Sequence, residues 1–407
     1  MRVRAAGEPH LTYCTNIHAG ESWPEVRRNV EERVTAVKRA VAPDQPFGVG
    51  LRLSAEAARE LHDPHELASF QASLAERGLY VFTINGFPYG TFHGARVKEN
   101  VYLPDWLDDA RLDYTVALGE ILAALLPSNV AFGTVSTVPG AFKRRVASGA
   151  DVGAMADRLV RTAAAFPSIR ARTGKTIALA LEPEPLCHLE TIAETVAFFR
   201  DHLFGREAIG RFVALTGASP AQADEALHRH LGVCFDACHM AVEFEDPGQA
   251  LADLASAGVS IGKIQISAGL EVDLASPAAR EWVRRFAEDV YLHQVVERRG
   301  RAIRRYADLP EALEALEALA RTPADGAPGL WRVHFHVPVF RAELGPLRGT
   351  QPFLRDLLAR LRVEAVSPHL EVETYTWDVL PEEHRRDGAL ADIARELTWV
   401  RKELEAS

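Results

Sequence analysis

The chain has 407 residues, 47% of them apolar and 25% charged, with a formal net charge of -10. That is an ordinary globular composition, and its acidic balance argues against DNA or RNA as a main partner, because nucleic-acid binding depends on Lys and Arg neutralising phosphate. No apolar run is long enough to cross a bilayer, the start at Met1–Glu8 lacks the apolar core of a secretory leader, and only four cysteines are present (Cys14, Cys187, Cys234, Cys238), so free thiols in a reducing cytoplasm are expected.

Short β-branched and aromatic runs alternate with helical patterns along the chain. The predicted strands are Leu11–Ile17, Phe47–Leu53, Leu79–Asn85, Val130–Thr137, Ile177–Glu182, Gly232–Asp236, Ile261–Ser267, Trp331–Val337 and Leu370–Thr374. Between them, Val30, Val34, Val37 and Val41 share one helical face, as do Ile192, Val196, Phe199 and Leu203 behind a Thr191/Glu194 capping-box spacing. Ser219-Pro220 and Ser276-Pro277 read as helix starts, and Leu390, Ile393, Leu397, Val400 and Leu404 as a C-terminal amphipathic helix. Repeated β-then-α alternation implies a parallel sheet, here a (β/α)8 TIM barrel formed by one domain over 1–407. Nine strands are one too many: the strand at Ile261, Trp331 or Leu370 is extra, or one is a misread loop. An insertion over about 268–330 is expected between the seventh strand and the last.

Successive strands end in acids or imidazoles, and barrel active sites gather at the C-terminal ends of the strands. Period-two alternation puts Cys14, Asn16 and His18 on one side, then Ala178, Ala180, Glu182 and Glu184 on the next such strand. Lys263, Gln265 and Ser267 form another series, as do His334 and His336, and Glu371 and Glu373. One such acid alone is more often an ion-pair partner, but several buried together need a counter-charge, and a cation is the economical one. Oxygen donors with one or two nitrogens suit Mn2+, Mg2+ or Co2+, while Zn2+ accepts the same residues. Cys234 and Cys238 read as small core residues before soft ligands. Basic runs at Lys143-Arg145 and Arg298-Arg301 read as solvated faces, and His62 and His65 as surface or capping residues. The loop from Gly86 to Lys98, continuing to Trp106, joins Phe87, Tyr89, Phe92, Tyr102 and Trp106 to His93 and Lys98. It reads equally as a ligand wall over the barrel mouth or as a loop packed on its own aromatics.

The Glu182 strand, Asp236-Ala-Cys-His239 and the Glu373 strand resemble the xylose isomerase-like TIM-barrel superfamily, which includes sugar isomerases, ketose 3-epimerases and endonuclease IV-type enzymes. More narrowly, the run from His10 to Trp23, the Phe87-Pro-Tyr-Gly loop, His334-Phe-His-Val-Pro338 and Glu371-Val-Glu-Thr-Tyr-Thr-Trp377 are similar to the metabolite traffic protein EboE family, which is linked to export or processing of secondary metabolites. The epimerase resemblance implies Glu182, Asp236 and Glu373 as metal ligands, with His239 following in the same motif. Gln265 stands where the epimerases carry a ligating His, so either Gln265 ligates weakly or His336 substitutes for it. The leading enzyme reading takes Glu182 and Glu373 as the catalytic acid/base pair, with His18, Asn16, Phe87, Tyr89, His93, Lys98 and His239 around the substrate. The leading expectation is metal-assisted proton transfer on a small polyhydroxylated or secondary metabolite, alongside other proteins of the same pathway. A non-catalytic carrier is the first alternative and an endonuclease IV-like phosphoesterase the remote one.

Overall fold

The computed structural model describes residues 1–94, 96–320, 329–382, 385 and 388–406, without the side chains of 319 and 320. Seven strands come first: β1 His10–Tyr13, β2 Phe47–Arg52, β3 Leu79–Asn85, β4 Phe132–Thr137, β5 Thr176–Leu181, β6 Leu231–Asp236 and β7 Ser260–Ile266. Six more follow before the barrel resumes: β8 Leu270–Asp273, β9 Val295–Arg299, β10 Ala302–Tyr306, β11 Leu330–Val333, β12 Glu343–Leu344 and β13 Leu347–Gly349. The last strand, β14 (His369–Val372), returns to lie between β7 and β1.

The first sheet has eight strands in the order β1-β14-β7-β6-β5-β4-β3-β2, all neighbours parallel. A parallel bridge between Cys14 and Gly50 joins its two ends into a barrel. Gly50 makes that closure fit: a Cβ there would stand 1.9 Å from Glu371 Oε1 and 2.6 Å from the Tyr13 carbonyl. Predicted and observed barrel strands agree to within a few residues. The largest change is at β1, where the chain turns into a 3-10 helix at Thr15–Ile17 instead of staying extended.

The surplus predicted strand is the one at Trp331, observed as β11 in a second, antiparallel sheet of order β10-β9-β11-β8-β13-β12. This sheet occupies the expected insertion and runs past its expected end, to Gly349. Its other strands are short or carry runs of Arg and Glu, so alternation of apolar residues does not reveal them. The helices follow the predicted signals. Ser219/Gln222 and Thr191/Glu194 both close capping boxes, Ser276 caps Pro277–Val283, and the C-terminal helix spans Ala389–Glu405. All four cysteines are free and buried, and among the described residues no helix is long and apolar enough to cross a membrane.

Side chains fill the lumen in layers, as barrels of this size require. Thr83, Thr134 and His369 are linked through 2.9 Å hydrogen bonds at the lower level. Above them, the wholly buried Lys263 ammonium pairs with Glu371 at 2.5 Å and donates to Ser136 Oγ at 3.2 Å. The next level up is the barrel mouth.

Candidate metal centre and cavity

Asp236 ends β6 and caps the helix that follows. Its Oδ1 accepts from the His239 backbone N–H and from Ser267 Oγ, each at 2.8 Å, which leaves Oδ2 buried without a partner. Strand-end capping therefore fixes the carboxylate and presents His239 one turn later. Glu182, just beyond β5, likewise has Oε2 buried and unpartnered. Glu373 follows β14, and its Oε1 accepts from Asn16 Nδ2 at 2.8 Å and Asn85 Nδ2 at 3.1 Å. Glu182, Asp236 and Glu373 each offer an oxygen within 4.8 Å of the others. Burial first, then the neighbouring carboxylates, push both Glu182 and Glu373 well above the ordinary carboxyl range.

A second group adjoins the first. His239 Nδ1 faces the Pro183 carbonyl at 2.9 Å, His334 Nδ1 faces Gln294 Oε1 at 2.7 Å, and His336 Nδ1 faces the Glu373 carbonyl at 2.8 Å. Each partner is an acceptor, so each Nδ1 carries the proton and each Nε2 presents a bare lone pair. Those Nε2 atoms stand 3.1 Å apart between His239 and His334, and 3.2 Å apart between His334 and His336. Unprotonated nitrogens this close repel unless something positive lies between them. Nitrogens sharing a cation at 2.0–2.1 Å would sit about 3.0–3.4 Å from each other. Burial holds the charged forms of two of these imidazoles down: His336 falls to about 4, and His334 lies well below its usual value, with His239 and His336 adding to the effect.

Asp236 belongs to both groups, joining His239 and His336 in one and Glu182 and Glu373 in the other. Glu184 groups with His239 and His334, and Cys238 with His334 and His336. Glu184 Oε1 is held by Tyr102 Oη at 2.6 Å and Gln294 Nε2 at 3.0 Å, and its Oε2 has no partner. The donor set fits divalent cations at both groups: orphaned buried oxygens in one, orphaned imidazole nitrogens in the other.

The expected ligands thus divide between two neighbouring centres. His336 groups with Asp236 and His239, and its Nδ1 stands 3.9 Å from Glu373 Oε2. Gln265 lies in register with Asp236 on one side and Glu371 on the other. Its Oε1 meets Cys234 Sγ at 3.4 Å and its Nε2 is buried without a partner. Turning the amide over would give the sulfur an N–H and free the oxygen.

A narrow cavity opens above both groups. Of the expected substrate-side residues, Asn16, Phe87, Lys98 and His239 line it. His18, Tyr89 and His93 do not: His18 bonds to Tyr13 Oη at 2.9 Å, and Tyr89 packs on Tyr114. Both ring nitrogens of His93 are buried without partners, outside this lining. Phe92 and Tyr102, from the aromatic loop read as a ligand wall, also line the cavity; Tyr291, Leu292 and Tyr375 line it and were not assigned from sequence, and Gln294, which fixes His334 and Glu184, carries no sequence signal at all. The alternating His334 and His336 were the readable sign of the second group.

No protein-family model matches the chain, and no curated protein matches it. Solved structures do. A xylose isomerase-like TIM barrel protein from Mycobacterium smegmatis, in complex with magnesium, is similar at 11% identity with a TM-score of 0.51, over 98% of each chain. The fold is a xylose isomerase-like TIM barrel. Two further structures score below 0.5 and support no inference. They are the probable 3-DHS dehydratase AsbF from Bacillus anthracis (11% identity, TM-score 0.46, 96% of this chain and 97% of that one) and an IOLI protein with zinc (12%, 0.42, 98% and 100%).

Proposed function

We propose that this chain is a divalent-metal-dependent isomerase or epimerase acting on a small polyhydroxylated metabolite. The observation that carries this reading is the pair of adjoining donor groups sharing Asp236 at the foot of one cavity. Glu182, Asp236 and Glu373 would hold one cation, with Gln265 as a further oxygen donor, and His239, His334 and His336 a second. Mn2+ or Mg2+ suits the acids, and Zn2+ or Co2+ suits the imidazoles. When bound, such ions polarise a carbonyl or hydroxyl oxygen and make the adjacent C–H acidic.

Glu182 and Glu373 take and return the proton, because both line the cavity beside the proposed cation. Asn16 and Asn85 fix Glu373 from one side and leave its second oxygen for this work. The EboE-like motifs point to a secondary metabolite as the compound handled, other proteins of its pathway as partners, and the cytoplasm as the place. Magnesium in the Mycobacterium smegmatis protein supports a cation in a barrel of this fold.

The histidine group supplies the nitrogens that a phosphoesterase reading demands, but the acids Glu182, Glu184 and Glu373 in the cavity wall oppose a nucleic-acid strand. The carrier reading draws its support from Gln265, a weaker ligand than imidazole. Metal analysis of the purified protein, joined to deuterium uptake from D2O into a panel of ketoses, tests the proposal. The expected result is bound divalent metal and exchange at the carbon beside the carbonyl, lost in Glu182→Gln and Glu373→Gln. Bound metal without exchange in any ketose, or absence of metal after Mn2+ and Zn2+ loading, would overturn the isomerase reading and leave the carrier.

A further inference from the structure

Resting on the isomerase reading of the site, we infer that the substrate is an uncharged compound: a vicinal pair of oxygens at one end and an apolar, ring-bearing body at the other. The first ground is the absence of a free cation. The wall carries one lysine or arginine among the described residues, Lys98. Its ammonium donates to the Glu288 carbonyl at 2.8 Å, the Tyr291 carbonyl at 2.6 Å and Asp308 Oδ2 at 2.7 Å. An ammonium has three N–H groups, so none is left for a ligand. Arg52 lies outside the lining; its terminal nitrogens go to the Gly20 and Gly90 carbonyls and to Glu21, while its Nε is buried without a partner.

A phosphate or carboxylate entering here would meet Glu182, Glu184 and Glu373 and, among the described residues, no free ammonium or guanidinium to hold it. Cations at the foot of the cavity offset those acids and leave no surplus positive charge above. Ligands buried without a counter-charge pay heavily for lost hydration.

The second ground is the outer wall. Phe92, Tyr291 and Tyr375 form a triangle of rings with centroids 5.2–5.4 Å apart, and Phe87 and Leu292 extend it. Phe92 comes from the loop after β3 and Tyr291 from the insertion, so the two covering segments meet as an aromatic surface. Rings and aliphatic groups stack on such a surface, and a bare polyol wastes it.

The chemistry gives three probes: phenyl β-D-glucopyranoside, methyl β-D-glucopyranoside and phenyl β-D-glucuronide. Binding to the Mg2+-loaded protein is measured by titration calorimetry, with bound metal assayed in the same preparations. Phenyl glucoside should bind about tenfold or more tightly than either of the others. Phe92→Ala should remove its advantage over the methyl glycoside, and Leu292→Lys should raise affinity for the glucuronide. Equal or tighter binding of the glucuronide to the unaltered protein, or no binding of the phenyl glucoside, would overturn the inference. With metal present, that result strikes the substrate class alone; a protein that takes up no metal strikes the functional reading beneath it.

Discussion

Glu182→Gln separates a metal ligand from a structural acid by the sign of its effect. Without metal, Glu182, Asp236 and Glu373 crowd three carboxylates within 4.8 Å in a buried site. At that distance one like-charged pair costs about 3.5 kcal/mol at an effective dielectric constant of 20. Protonation relieves part of this, so removing one charge should stabilise the metal-free protein by about 2–3 kcal/mol at pH 8. A chain of 407 residues unfolds with an entropy near ~0.85 kcal/mol/K, so the gain in Tm is about 3 °C. With metal the order reverses. The unaltered protein gains about 2.7 kcal/mol at a hundredfold excess over Kd, and the variant, short of a ligand, gains less. Thermal melts of both proteins in EDTA and in MnCl2 check this. If the variant is the less stable protein under both conditions, Glu182 is a structural acid and the argument for the cation fails.

Three further outcomes follow from the geometry. Burial raises the Glu396 carboxyl to about 7, although it accepts from Thr374 Oγ1 at 2.7 Å and the Val339 N–H at 3.0 Å. The folded state therefore binds that proton more tightly than the unfolded chain, and stability drains away as pH rises from about 4.5 through 7. Glu396→Gln keeps the acceptor oxygen, and its unfolding free energy, read from urea denaturation, should exceed that of the parent at pH 8 by about 2–3 kcal/mol and match it at pH 4.5. Lys263→Met strands the buried Glu371 and should cost about 3–5 kcal/mol, most of it recovered when Glu371→Gln is added, as read from denaturant unfolding. Gly50→Ala drives a methyl into Glu371 and the Tyr13 carbonyl. It should destabilise the barrel by at least about 3 kcal/mol, seen as loss of folded protein on gel filtration.

Buried parallel strands write themselves plainly, because both faces are covered and apolar residues run together; hence β2 to β7 and β14 stood out. The acids and imidazoles at their ends were equally visible, since alternation assigns each side chain to the lumen or to the outer face. The second sheet was not. Strand β10 (Ala302–Tyr306) is largely exposed, and β12 has two residues, so neither carries a hydrophobic signature. Trp331 and Val333 did, which is why that strand competed for a place in the barrel. Proximity across the chain is what spacing alone cannot give. His334 lies 95 residues from His239 and 3.1 Å from it in space, and Gln294 became meaningful only once the insertion had folded over Glu184.

The segment threaded between the last two staves of the barrel brings His334, His336, Gln294 and Tyr291 with it. Excising that module in one stroke would strip away two of the three histidines and one of the three rings of the aromatic triangle, yet leave the three acids at the ends of β5, β6 and β14. Acquired or shed as a unit, it would turn a centre suited to one ion into a centre suited to two without altering any stave.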